Sequence, residues 1–235
     1  MNRIDAMPAR LRNLAPNLWV AEHPFKLPLR LGDIGARMTI IRLAEGGLFL
    51  HSPVPLDPAI RGELDALGPV RAIVAPSKAH HLFVNDYVKA YAAAKLHGAP
   101  GLPDKRRDLK FDSILADQPD ADWQGQIEHH LFRGAPLLNE VVFFHPATQT
   151  VIFTDLVFNV TREDAANTRL FNWLTAAAGH FGPHRLVRRT IKDRPAVRAS
   201  VERILEWDFE RVIMSHGDVL ERGGPENVRA AFFYL

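Results

Sequence analysis

Residues 70–84, VRAIVAPSKAHHLFV, decide the fold. Val70 to Ala75 is an apolar run broken only by Arg71, short enough to be a buried strand. Before it, Ile60, Leu64 and Leu67 recur at helical spacing, predicting a helix over 57–67 that Gly68-Pro69 stops. After it comes a polar loop, 76–81, and then Leu82 to Leu96, whose apolar residues fit a second helix ending at His97-Gly98. The order is helix, strand, polar loop, helix, with side chains capable of chemistry in the loop.

Working outward, Met38 to Leu43 and Leu48 to His51 are β-rich runs separated by Glu45-Gly46-Gly47, which reads as a hairpin closed by Ser52-Pro53-Val54-Pro55. Leu18 to Glu22 reads as a short strand, and 25–37 as a loop or irregular edge after Pro24. On the other side, Gly98 to Pro119 is rich in breakers around a short apolar run, Phe111 to Leu115. Ile127 to Phe132 and Val141 to His145 are predicted strands, and the turn Pro146 to Gln149 makes 141–158 a second hairpin. Helices are predicted over 163–178 and 195–207, and Val212 to Ser215 as a last buried strand that delivers His216 into a loop. Strand-rich halves with helices following them predict an α/β protein, either two sheets between helices or one mixed sheet. With 235 residues, 47% of them apolar, and no repeat or low-complexity linker, residues 1–235 read as a single domain with a substantial core.

Composition excludes several function classes. Against 27 acidic side chains stand 29 basic ones, a net charge of +2 that argues against nucleic-acid binding; Lys105-Arg106-Arg107 and the cluster at 185–194 read as solvated faces. The absence of cysteine removes disulfides, thiolate ligands and a cysteine nucleophile, and makes the cytoplasm the expected compartment. No apolar run of about 18 residues and no signal-peptide pattern occur, so neither export nor membrane insertion is expected. Neither a phosphate-binding glycine loop nor a Gly-any-Ser-any-Gly elbow is present, which disfavours a serine hydrolase.

Three places share one feature, a metal-capable side chain just beyond an apolar strand: His80-His81 after Val70 to Ala75, Asp155 after Val151 to Thr154, and His216 after Val212 to Ser215. Imidazole and carboxylate together suit zinc, iron or manganese. A site of His81, Asp155 and His216 with His80 nearby is therefore chemically reasonable, although two adjacent histidines on an extended backbone cannot both point one way. His129-His130 precede a strand, and alternation sends one ring inward and the other out. His145, His180 and His184 read as turn or loop residues, and Phe171, Trp173, Phe181, Trp207 and Phe209 as core.

The segments AIVAPSKAHHLFV, TQTVIFTDLVFN and VIMSHGD, in that order after a hairpin ending in His51-Ser52-Pro53, resemble the metallo-β-lactamase superfamily. More narrowly, the His-His-Leu-Phe, Phe-Thr-Asp and Ser-His-Gly signatures are similar to the DUF4336 family, over roughly residues 17 to 222. The resemblance implies an αββα sandwich. It also implies a reduced metal site, because Pro76 and Lys78 stand where the first two histidines of the superfamily's His-any-His-any-Asp-His loop belong. The third first-metal histidine falls on Gly134-Ala135-Pro136 and is absent too. His80 falls on the loop aspartate, His81 on its closing histidine, Asp155 on the bridging aspartate and His216 on the last histidine.

What the resemblance implies is one divalent metal, zinc first and iron or manganese as alternatives, held by His81, Asp155 and His216 with His80 as a fourth ligand. Lys78 would polarise the carbonyl of a small-molecule ester, amide or thioester or hold an anion, and His51 would contact the substrate. The bland reading of Lys78 is that it fills space and pairs with Asp155 or Asp86. The alternative function is a non-catalytic protein that binds a small anion on a fold that has lost its metals. A third reading makes it a scaffold, or a homo-oligomer, whose apolar end, Ala230 to Leu235, docks a partner.

Overall fold

The computed structural model describes residues 11–26, 33–160 and 181–233. Its strands are β1 (Leu11–Ala15), β2 (Leu18–His23), β3 (Ala36–Arg42), β4 (Leu48–His51), β5 (Val70–Ala75), β6 (Lys95–Gly98), β7 (Ser113–Ile114), β8 (Glu128–Leu131), β9 (Val141–His145), β10 (Thr150–Ile152), β11 (Phe158–Asn159), β12 (Phe181–Gly182) and β13 (Arg211–Ile213). The helices are α1 (Pro58–Leu67), α2 (Val84–Ala90), α3 (Leu102–Lys105), α4 (Arg185–Thr190), α5 (Arg194–Leu205) and α6 (Gly224–Ala231). Strands β1 to β7 form one sheet in sequence order, antiparallel up to β4 and parallel from β4 onward. The order β13-β10-β9-β8 forms a second sheet, and β11 pairs with β12.

Neighbouring residues on these strands enter different cores, as the two-residue period of a strand dictates. Ile40, Leu50 and Ile73 face α1 and α2, packing on Ile60, Leu64, Val84 and Tyr87. Their neighbours Ile41, Phe49 and Val74 face the second sheet and meet Val141, Phe143, Ile152 and Ile213. On the far side of that sheet Val142, Phe144, Val151 and Met214 pack on Val197, Val201 and Ile204 of α5 and on Val228 of α6. Helix, sheet, sheet, helix: this is the αββα sandwich expected, with both sheets apolar on both faces. Trp207 and Phe209 lie in the core, as read from the sequence.

Two expectations need correcting. The apolar period over 82–96 breaks after α2, and Lys95–Gly98 is a strand pairing in parallel with β5, because the sheet offers those backbone groups a ladder that an isolated helical turn lacks. Strand β1 was not expected from the Pro-rich start; it pairs with β2 across a two-residue turn in which Asn17 has a φ of 61°, a conformation asparagine tolerates. The predicted helix over 163–178, with Phe171, Trp173 and His180, lies outside the described residues. In the C-terminal stretch Ala231 and Phe232 are buried, Phe233 is exposed, and 234–235 lie outside the described residues. No helix among the described residues is long and apolar enough to cross a membrane.

Candidate metal centre

Three strand ends converge on one edge of the sandwich. After β5 the chain turns sharply, with Ser77 Oγ accepting from the backbone N–H groups of Ala79 (3.2 Å) and His80 (3.1 Å). After β10 the backbone N–H groups of Thr154, Asp155 and Leu156 all donate to the carboxylate of Glu140, at 2.6, 2.8 and 3.1 Å. After β13 the guanidinium of the buried Arg37 donates to the carbonyls of Met214 (2.5 Å) and Gly217 (2.6 Å), clamping the turn that carries His216. Gly217 has a φ of 89°, and a Cβ there would lie 2.3 Å from the Asn159 carbonyl oxygen, so this turn admits only glycine.

The result is a triad of His80, Asp155 and His216, whose potential ligand atoms all lie within 4.8 Å of one another. His80 Nε2 is 3.3 Å from Asp155 Oδ2, and His216 Nε2 is 3.2 Å from Asp155 Oδ1. Both rings are held from behind: His80 Nδ1 pairs with Ser52 Oγ at 2.7 Å, and His216 Nδ1 with the Gly35 carbonyl at 2.7 Å. That carbonyl can only accept, so His216 carries a proton on Nδ1 and, when neutral, turns the lone pair of Nε2 toward a carboxylate oxygen. A lone pair set against a carboxylate is repulsive, and either a proton on Nε2 or a cation between the two relieves it. One nitrogen from each ring and one oxygen of Asp155 lie close enough together for the three residues to hold one ion. Donor types, spacing and outward-anchored rings therefore fit a single divalent ion. Ser52, at a φ of 56°, accepts a strained backbone in presenting its hydroxyl to His80.

His81 does not join this triad. Its Nδ1 faces Arg106 Nη1 at 3.0 Å, and the same nitrogen donates to the His81 carbonyl, so the ring is turned toward the end of α3. Burial, then the charges of Lys105 and Arg106, push its pKa down to about 4. Of the two adjacent histidines, both expected as ligands with His80 as the fourth, it is His80 that faces Asp155 and His216, because the Ser77 turn throws their side chains apart. The basic cluster at 105–107, read as a solvated face, supplies the group that captures His81. Lys78 is also turned away: its Nζ donates to the Pro136 carbonyl at 3.2 Å and it does not line the cleft. It pairs with neither Asp155 nor Asp86. The two stretches aligned with lost first-metal ligands do meet, as a lysine-to-carbonyl hydrogen bond.

His51 is buried beneath the site with its ring edge-on to Phe143, so it cannot touch a substrate from the cleft. Of the other histidines, His129 is buried and His130 half-buried, as alternation requires. His184 caps α4 and lies against Phe158, which stacks in turn on His216. Glu140 was missed altogether; a lone glutamate before a strand carries no signal that its carboxylate will collect three backbone donors from the next hairpin arm.

The electrostatics follow from burial. For Asp155, burial raises the pKa, but His80 and His216 outweigh it and hold the carboxyl well below the usual range. Glu140 is pushed up to about 7 by burial and then by the charge of Asp155. His51 is pushed down to about 3 by burial and then by His80. A histidine neutral in the fold but protonated when unfolded contributes stability that is lost as pH falls below about 6.5. For His51 alone the loss between pH 7 and pH 4 is about 3 kcal/mol. His81 and His184, both lowered to about 4, act in the same sense, whereas Glu140 acts oppositely between pH 4.5 and 7. Urea unfolding of His51→Leu, whose wild-type Nε2 is buried without a hydrogen bond, should show a flatter stability profile from pH 7 to 4. An unchanged profile would remove His51 as the source.

The triad opens into a cleft of about 220 Å³ lined on its other sides by Phe25, Ile34, Leu82 and Phe83. Among the described residues that line it, none is lysine or arginine.

A family model described as a domain of unknown function, DUF4336, matches residues 15–177. No curated protein matches. The crystal structure of a metallo-β-lactamase from Hirschia baltica superposes with a TM-score of 0.66 at 12% identity, covering 96% of this chain and 98% of that one. FIM-1 from Pseudomonas aeruginosa, a metallo-β-lactamase in its mono-zinc form, gives a TM-score of 0.65 at 13% identity, covering 97% of this chain and 96% of that one. The metal-soaked flavodiiron core of Flv1 from Synechocystis gives 0.65 at 11% identity, covering 96% of this chain and 60% of that one. At such identities the likeness establishes the fold, that of the metallo-β-lactamases.

Proposed function

From the premise that this chain belongs to the DUF4336 family and has the metallo-β-lactamase fold, we propose that it is a metal-dependent hydrolase with one metal, held by His80, Asp155 and His216. The observation that carries the reading is the pair of Nε2 atoms aimed at one carboxylate from rings whose Nδ1 atoms are anchored behind them. A divalent ion at this place, zinc before iron or manganese, supplies Lewis acidity and a water whose pKa falls to about 7.

The chain's own residues do the rest. His80 and His216 present Nε2 to the cleft, and Asp155 supplies the charge that offsets a cation there. Ser52 and the Gly35 carbonyl hold the rings, and Glu140 holds the Asp155 backbone. Phe25, Ile34, Leu82 and Phe83 take the apolar part of a small ester, amide or thioester and exclude water from it. Lys78 is turned to Pro136, and among the described residues the lining offers apolar side chains rather than lysine or arginine, which supports a substrate with an uncharged, apolar part.

The test is hydrolysis of a panel of uncharged esters, lactones, amides and thioesters by protein loaded with zinc, iron(II) or manganese. Activity that chelation removes and metal restores, and that Asp155→Asn lowers at least about 100-fold, supports the proposal. A folded, metal-loaded protein without activity on any of them, or activity indifferent to chelation, would sink it.

A further inference from the structure

We infer a second divalent-cation site, formed by His97, Asp120 and Asp122 at the edge of the core between the sheets. Alternation along β6 sends Leu96 to the helical side and His97 inward, where its ring meets Trp123 edge-on at 4.6 Å. His97 is 0% exposed, and neither of its ring nitrogens has a hydrogen bond. A buried imidazole left in that state is costly, and native folds seldom tolerate it.

What faces the ring is carboxylate on both sides. Nδ1 is 3.4 Å from Asp120 Oδ2 and Nε2 is 3.5 Å from Asp122 Oδ2, separations beyond good hydrogen bonds. Lys95 Nζ takes the other oxygen of Asp122 at 2.7 Å, leaving Oδ2 buried and unpartnered on the inner side. One nitrogen and two oxygens, one from each residue, lie within 4.8 Å of one another, a span that one ion bridges. Imidazole with two carboxylates suits zinc, manganese or iron(II).

The local chain is built to present these groups. Asp120 accepts from the backbone N–H of Asp122 through Oδ1 (3.1 Å) and from that of Trp123 through its carbonyl (3.1 Å), a tight turn that aims both carboxylates at β6. Trp123, next in sequence, wedges between Phe49 and His97. An ion here would tie the long connection between β7 and β8 to the sheet edge, a structural clip rather than a reacting centre. None of the three residues lines the cleft of the first triad.

The experiment counts zinc. The full-length protein is saturated with zinc chloride, freed of excess by gel filtration and analysed for metal, beside an Asp120→Asn, Asp122→Asn variant, a His97→Gln variant and a His80→Ala, His216→Ala variant. Two equivalents in the wild type, falling to one in each variant, are expected. Zinc should also raise the melting temperature of the His80→Ala, His216→Ala variant. One wild-type equivalent that the Asp120/Asp122 and His97 variants lose, and the His80/His216 variant keeps, supports this site and refutes the first. One equivalent lost only in the His80/His216 variant, or an Asp120/Asp122 variant with the wild-type count, overturns it and leaves a proton between ring and carboxylates. His97→Gln provides the count if the double aspartate variant does not fold, judged by far-ultraviolet circular dichroism.

Discussion

His80→Ala is expected to lower the affinity of the protein for added zinc more than about 100-fold, while His81→Ala leaves that affinity within a few-fold of wild type. The contrast is the sharpest available, because the two residues are adjacent and chemically identical. Only His80 Nε2 faces Asp155; the Nδ1 atom of His81 accepts from Arg106, and the ring faces α3. Removing His80 leaves one imidazole and one carboxylate, too few donors to compete with water for a tetrahedral ion. Removing His81 strands one hydrogen bond of Arg106, which still pairs with Asp108. Competitive titration against a chromophoric chelator reads both affinities. Loss of zinc in His81→Ala with retention in His80→Ala would restore the arrangement expected from the aligned motif and refute the triad.

Glu140→Ala should be the most damaging single change remote from the cleft surface. The buried carboxylate satisfies three backbone N–H groups in succession, and its removal takes the acceptor from all three. At about 1–3 kcal/mol per stranded donor, offset by no longer burying a charge, the net loss is about 3 kcal/mol. Guanidinium unfolding reads that loss. A purely structural role would stop there. Because Asp155 is one of the three residues so held, zinc affinity in the folded variant should also fall, by about 10-fold to 100-fold. Glu140→Gln keeps one acceptor but sets an amide N–H₂ against the remaining donors, and should be intermediate in both measures. A Glu140→Ala protein as stable as wild type would show that the three donors find other partners.

The backbone of this fold was largely legible in the sequence. Val70 to Ala75, the hairpin around Glu45-Gly46-Gly47 and the helix following Asp57 depend on local period, turn chemistry and capping, all of which act within a few residues. Strands β1 and β6 were not, since β1 rests on its pairing and β6 on a ladder with a strand about twenty residues earlier. The segments bearing His80, Asp155 and His216 could be singled out because a buried strand ending in a polar loop is itself a local pattern.

Sequence alone determined which residue types could reach the sandwich edge: no thiolates, and a handful of imidazoles and carboxylates beyond apolar strands. Only the tertiary structure decided which of them meet. His80 rather than His81, Lys78 turned to Pro136, His51 sunk against Phe143 and Glu140 under the Asp155 turn are all settled by partners far away in the chain. The physical reason is that rotating a side chain by one turn position costs little locally, whereas a buried hydrogen bond or ion pair to a distant group is worth enough to choose among the rotations.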